Sequence, residues 1–107
     1  MEQRNIELLS GRDFVEFVVV QLKKRNKGLN RLSESRLSRN AGFADQYFSR
    51  LRAKSHPNPS AIAMRCLLLT LGFQIKDPQS DVIPFLKSKG VYDPEIHGVH
   101  EGLVHDA

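Results

Sequence analysis

Leu32-Ser33-Glu34-Ser35-Arg36-Leu37-Ser38-Arg39-Asn40-Ala41-Gly42-Phe43-Ala44-Asp45-Gln46-Tyr47-Phe48-Ser49-Arg50-Leu51 is the stretch on which the reading of this chain turns. Ser33 suits the N-cap of a short helix running to Asn40, with Leu37 facing inward. Gly42 ends that helix because it accepts a left-handed backbone at no steric cost. A further helix is predicted over 45–54, with Phe48 and Leu51 inward at a three-residue interval and Gln46, Ser49, Arg50 and Ala53 outward. Two short helices meeting this closely need small or apolar residues at the contact and a turn that tolerates positive φ. Ser38, Gly42, Phe43, Phe48 and Leu51 supply those types in order.

Upstream, a helix is predicted from Arg12 to Asn26. Ser10 is its expected cap, Asp13 suits its positive end, Lys23, Lys24 and Arg25 suit its negative end, and Gly28 closes it. Phe14, Val18 and Leu22 recur at helical spacing. The run Val18-Val19-Val20 makes a strand conceivable, but the flanking charges and the closing glycine favour helix. Because Val15, Phe17, Val19 and Val20 fill the other sides, this helix is expected to be buried on two faces. Downstream, His56-Pro57-Asn58-Pro59 interrupts helix. A fourth helix then runs from Pro59 to Leu71 and stops at Gly72. A fifth is predicted from Ser80 to Lys89, with Pro84 early enough that its missing N–H is not needed. Residues 1–90 thus read as one domain, and residues 91–107 as a loosely held, acidic tail containing His97, His100 and His105.

The net charge of +4 conceals an asymmetry. Residues 23–54 hold ten Lys and Arg against Glu34 and Asp45, a net of +8, so the remainder carries −4. A polyanion is the natural partner for the middle of such a chain, and its acidic end would be repelled from the same polymer.

Two short helices about an Asn-Ala-Gly-Phe turn, inside the most basic third of the chain, form the pattern of a helix-turn-helix. The chain here resembles the Cro and phage-repressor type, the xenobiotic-response-element family of bacterial and phage regulators. The resemblance runs through Leu32–Phe43, Phe48-Ser49-Arg50-Leu51, Pro59-Ser60, Leu67-Leu68 and Leu71-Gly72-Phe73. It implies an all-α, five-helix lambda-repressor-like bundle that binds operator DNA as a homodimer, with the helix at 45–54 in the major groove. Carried onto this chain, Ala44, Asp45, Gln46, Ser49 and Arg50 would face base edges. Gln can pair with adenine, Arg with guanine, and Asp can accept from cytosine. Arg31, Arg36, Arg39, Arg52 and Lys54 would hold phosphates. The sequence departs from the family at Ala44, where a capping Ser or Thr is common, which leaves Asp45 as the expected cap, and at Ser38, where Ala is usual.

The fourth helix carries a core stripe of Met64, Leu67, Leu68 and Leu71, and a second apolar stripe of Ile62, Cys66, Leu69 and Phe73. That second stripe must be covered, because each large side chain left in water forgoes about 1.5–3 kcal/mol. Val82, Phe85 and Leu86 are expected to pack there and form a homodimer surface, with coverage inside one chain as the alternative.

Other chemistries find little support. His100 and His105 do not have the spacing of a zinc-protease motif, no phosphate loop or nucleophile elbow is present, and neither cofactor nor catalysis is expected. Cys66 cannot form an internal disulfide and reads as a packing residue. The longest apolar cluster falls short of the roughly 18 residues of a membrane helix. With no secretory leader at the start, the expected compartment is the cytoplasm, at the nucleoid. The reading is a dimeric, DNA-binding repressor, with an interaction module such as an antitoxin, using the fourth helix against a protein partner, as the alternative.

Overall fold

The computed structural model describes residues 11–28 and 31–98, and these are helical with no strand among them. The elements are α1 (Gly11–Arg25), α2 (Glu34–Asn40), α3 (Tyr47–Ala53), α4 (Ala61–Thr70), α5 (Val82–Ser88) and a π-helical turn (Pro94–Gly98). Ser10, His100 and His105 lie outside the described residues. No helix among the described residues is long and apolar enough to cross a membrane.

In α1, Asp13 stands in the first turn and Lys23, Lys24 and Arg25 in the last, where the helix dipole favours them. Burial of Phe14, Val15, Val18 and Leu22 outweighs the β-preference of the valine run. The expectation of two buried faces is corrected by Val20, which is 46% exposed and marks the side left to solvent. Gly28 follows a turn and does not adopt the left-handed backbone; Gly42 and Gly72 do, with φ of 94° and 98°.

The predicted cap at Ser33 forms, and α4 starts at Ala61 behind a Ser60 cap, two residues after the expected start at Pro59. Ser33 Oγ accepts the Arg36 N–H at 3.0 Å, and Ser60 Oγ accepts the Ala63 N–H at 3.2 Å. Asp81 begins α5 by accepting the Val82 N–H at 2.6 Å, and Pro84 falls in its first turn, where a missing N–H costs no helical bond. Gly42 is required twice over: its φ is positive, and a Cβ there would lie 2.9 Å from Phe85 Cε2.

The core gathers Phe14, Leu37, Phe48, Leu67, Leu68 and Leu86 from all five helices, with α4 at its centre. α2, α5 and the π turn all pack on α4. The centre of the second stripe of α4 is therefore covered within the chain, the alternative to a dimer surface there. Cys66 and Leu69 are buried, as are Val82 and Leu86. Ile62, Phe73 and Phe85 are half-buried; Phe73 packs against Phe17 of α1 with ring centroids 5.3 Å apart, and Phe85 against Phe43 at 5.6 Å. Met64, expected in the core stripe, is half-buried on the rim.

A second correction concerns the tail. Residues 91–98 belong to the folded body, and 99–107 lie outside the described residues. The Val91 N–H donates to the Leu86 carbonyl at 3.1 Å, turning the chain back. His97 is then buried, 2% exposed. Its Nδ1 accepts the Asp93 N–H at 3.1 Å, so the ring hydrogen sits on Nε2, 3.0 Å from the Asn40 carbonyl and 3.3 Å from Thr70 Oγ1. One imidazole thus ties the π turn to the end of α2 and to α4. The sequence shows a histidine among glycines; its burial comes from a contact 57 residues away.

Candidate nucleic-acid interface

α3 has only seven residues, and a helix that short is marginal by itself in water. Its position is held at three places. At the start, Gln46 is the N-cap residue but its side chain makes no capping bond. The expected cap, Asp45, does not cap either; its Oδ2 lies 3.5 Å from the Arg39 guanidinium. The cap comes instead from α2. Ser38, fully buried, donates to the Glu34 carbonyl at 2.9 Å and accepts the Phe48 N–H at 3.0 Å. That N–H is one of the early donors a helix leaves unpaired, so the serine found where Ala is usual does the work that Ala44 cannot.

At the side, Glu34 reaches across from the first turn of α2. Its Oε1 accepts the Ser49 hydroxyl at 2.9 Å and Arg52 Nη2 at 3.1 Å, while its Oε2 accepts Arg52 Nε at 2.8 Å. A two-pronged guanidinium–carboxylate contact of this kind fixes orientation as well as charge. At the end, Arg12 of α1 donates to the carbonyls of Lys54 and Ser55, both at 2.9 Å, closing the C-terminal end of α3 with a cation. Behind these, Phe48 and Leu51 are buried.

Of the residues nominated as base-facing, Ala44, Asp45, Gln46 and Arg50 are exposed and Ser49 is half-buried against Glu34. Of those nominated for phosphates, Arg31, Arg36, Arg39, Arg52 and Lys54 are all exposed. Arg39 and Arg52 are already paired with acids of the chain; the side chains of Gln46, Arg50, Arg31, Arg36 and Lys54 have no partner among the described residues. Sequence reasoning missed Arg12 and Glu34. A cation in the first turn of a helix and an acid after a capping Ser carry no mark of the distant groups they bind.

Tyr47, the first residue of α3, stacks on Phe43 with centroids 4.4 Å apart. Burial raises its hydroxyl above the ordinary 10.0, so it stays an uncharged donor at neutral pH. Among the described residues, no group of three His, Cys, Asp or Glu could hold a metal ion. Burial pushes the Cys66 thiol up to about 12, with Asp81 adding to the rise and Arg65 offsetting part of it, so it is no nucleophile at neutral pH. Comparison with family models, curated proteins and solved structures finds no match for this chain.

Proposed function

We propose that this chain is a sequence-specific regulator that binds double-stranded DNA by laying α3 in the major groove, on a lambda-repressor-like helix-turn-helix bundle. The observation that carries the reading is the outer side of α3. It presents Gln46 and Arg50, exposed and without a partner among the described residues, on a helix held at its start, side and end, inside a segment of net charge +8. Those are the side chains suited to two-pronged recognition of adenine and guanine. Arg31, Arg36 and Lys54 supply charge for phosphates on either side. Occlusion of polymerase makes repression the expected consequence.

Pairing of two copies on a two-fold-related operator, with their α3 helices about 34 Å apart, rests on the family resemblance alone. Burial of Cys66 and Leu69 within one chain argues against the centre of the α4 stripe as its surface, and against the same surface serving an antitoxin-like module.

Selection from a random duplex pool, followed by titration of the winning sequence against salt, tests the proposal. One enriched sequence is expected, with log affinity falling linearly with log salt at about −0.9 per phosphate contacted. A pool that emerges unenriched, or binding indifferent to salt, would overturn it.

A further inference from the structure

The three contacts of Glu34 bear on which residues take part in DNA binding, an inference that rests on the reading of α3 as the DNA-binding helix. Ser49 and Arg52 lie on α3 beside the exposed Gln46 and Arg50, and by residue type both are competent to touch DNA. Yet each is held by the same carboxylate: Ser49 Oγ at 2.9 Å from Oε1, and Arg52 through Nε at 2.8 Å and Nη2 at 3.1 Å. The Ser49 hydroxyl spends its only hydrogen on this contact. The Arg52 side chain is 49% exposed, so nothing steric keeps it from a phosphate; what restrains it is Glu34.

We infer that Glu34 sets the DNA specificity of α3 by subtraction. It keeps the Ser49 hydroxyl hydrogen from the bases and Arg52 from the backbone, so that within α3 and its cap the sequence is read by Gln46 and Arg50. Glu34 is a positioning residue that never touches DNA. Its carboxylate also turns a cation of the reading helix into a neutral pair, which lowers the affinity for DNA of arbitrary sequence.

Two substitutions separate the two halves of this role. Glu34→Gln loses the charge that retains Arg52 but keeps an amide oxygen able to accept from Ser49. Glu34→Ala releases both. With the full-length protein and the selected duplex, Glu34→Gln is expected to steepen the salt dependence by one phosphate, an extra loss of about 3.5-fold over a four-fold rise in salt. Its base preferences should not change. Glu34→Ala should show the same steeper slope and, in addition, an altered preference at one base pair. Adding Arg52→Ala to Glu34→Gln should return the slope to that of the wild type, whereas adding Lys87→Ala, which removes the same charge from α5 outside the basic segment, should leave it steep. Circular dichroism confirms that each variant keeps its helix content. Wild-type binding with no change of slope in either Glu34 variant overturns this inference while leaving the DNA-binding reading intact. Absence of sequence-selective binding by the wild type overturns both.

Discussion

α3 and α4 are neighbours in the chain and opposites in their chemistry. α4 buries six of its ten residues, Ala63 and the run from Cys66 to Thr70, and receives α2, α5 and the π turn on its surface. α3 buries only Phe48 and Leu51 of its seven and is held in place by polar contacts from outside: Ser38, Glu34 and Arg12. The difference teaches where stability and function are separable. In α4 a side chain is surrounded and its loss is felt by the whole fold; on the outer side of α3 a side chain can change without disturbing the core.

The sharpest way to break that contrast is to cut into α4. Leu69→Ala removes a side chain only 1% exposed and is expected to cost about 2–5 kcal/mol in chemical denaturation. A loss within measurement error would mean that α4 is not the scaffold, and a shift in sedimentation without destabilisation would restore the dimer surface. Next comes the joint between the regions. Ser38→Ala strands the buried Phe48 N–H, and stability is expected to fall by about 1–3 kcal/mol. An unchanged midpoint would show that α3 is capped in some other way.

Arg50→Ala probes the opposite pole. Discrimination against a single changed base pair is expected to weaken by about 1–3 kcal/mol. The unfolding stability should hold to within about 0.5 kcal/mol, as for an exposed residue without partners among the described residues. Equal losses of stability and binding would erase the distinction drawn here. The smallest effect comes from Cys66. The folded state holds its thiol protonated up to about pH 12, whereas an unperturbed thiol ionises near 9.0. This group's contribution to stability is therefore full below pH 9.0 and is lost as pH rises towards 12. In the native protein at pH 8 a thiol reagent should label Cys66 only as fast as the protein opens; rapid labelling would place the sulfur at the surface of α4.

Much of this architecture was legible along the chain because its causes are local. The cap at Ser33, the left-handed turns at Gly42 and Gly72, and the inward spacing of Phe48 and Leu51 depend on residues within a turn of one another. Charge told where the candidate interface lies, since the exposed Gln46 and Arg50 fall inside the +8 segment. α3 starts at Tyr47, two residues after the predicted start, and Asp45 pairs with Arg39 instead of capping it.

The number of principal helices, their approximate ends and most of their inward faces follow from the chain alone, because helix periodicity and capping act over three or four residues. Only the tertiary structure decided what covers the second stripe of α4, that His97 is buried against Asn40 and Thr70, and which cations near α3 are already spoken for. Those outcomes depend on groups 27 or 57 residues away, as for His97, or 18, as for Glu34 and Arg52. At such separations neither spacing nor residue type identifies a partner. Packing does, by bringing a carboxylate, a carbonyl and a ring nitrogen within hydrogen-bonding distance of groups that would otherwise face water.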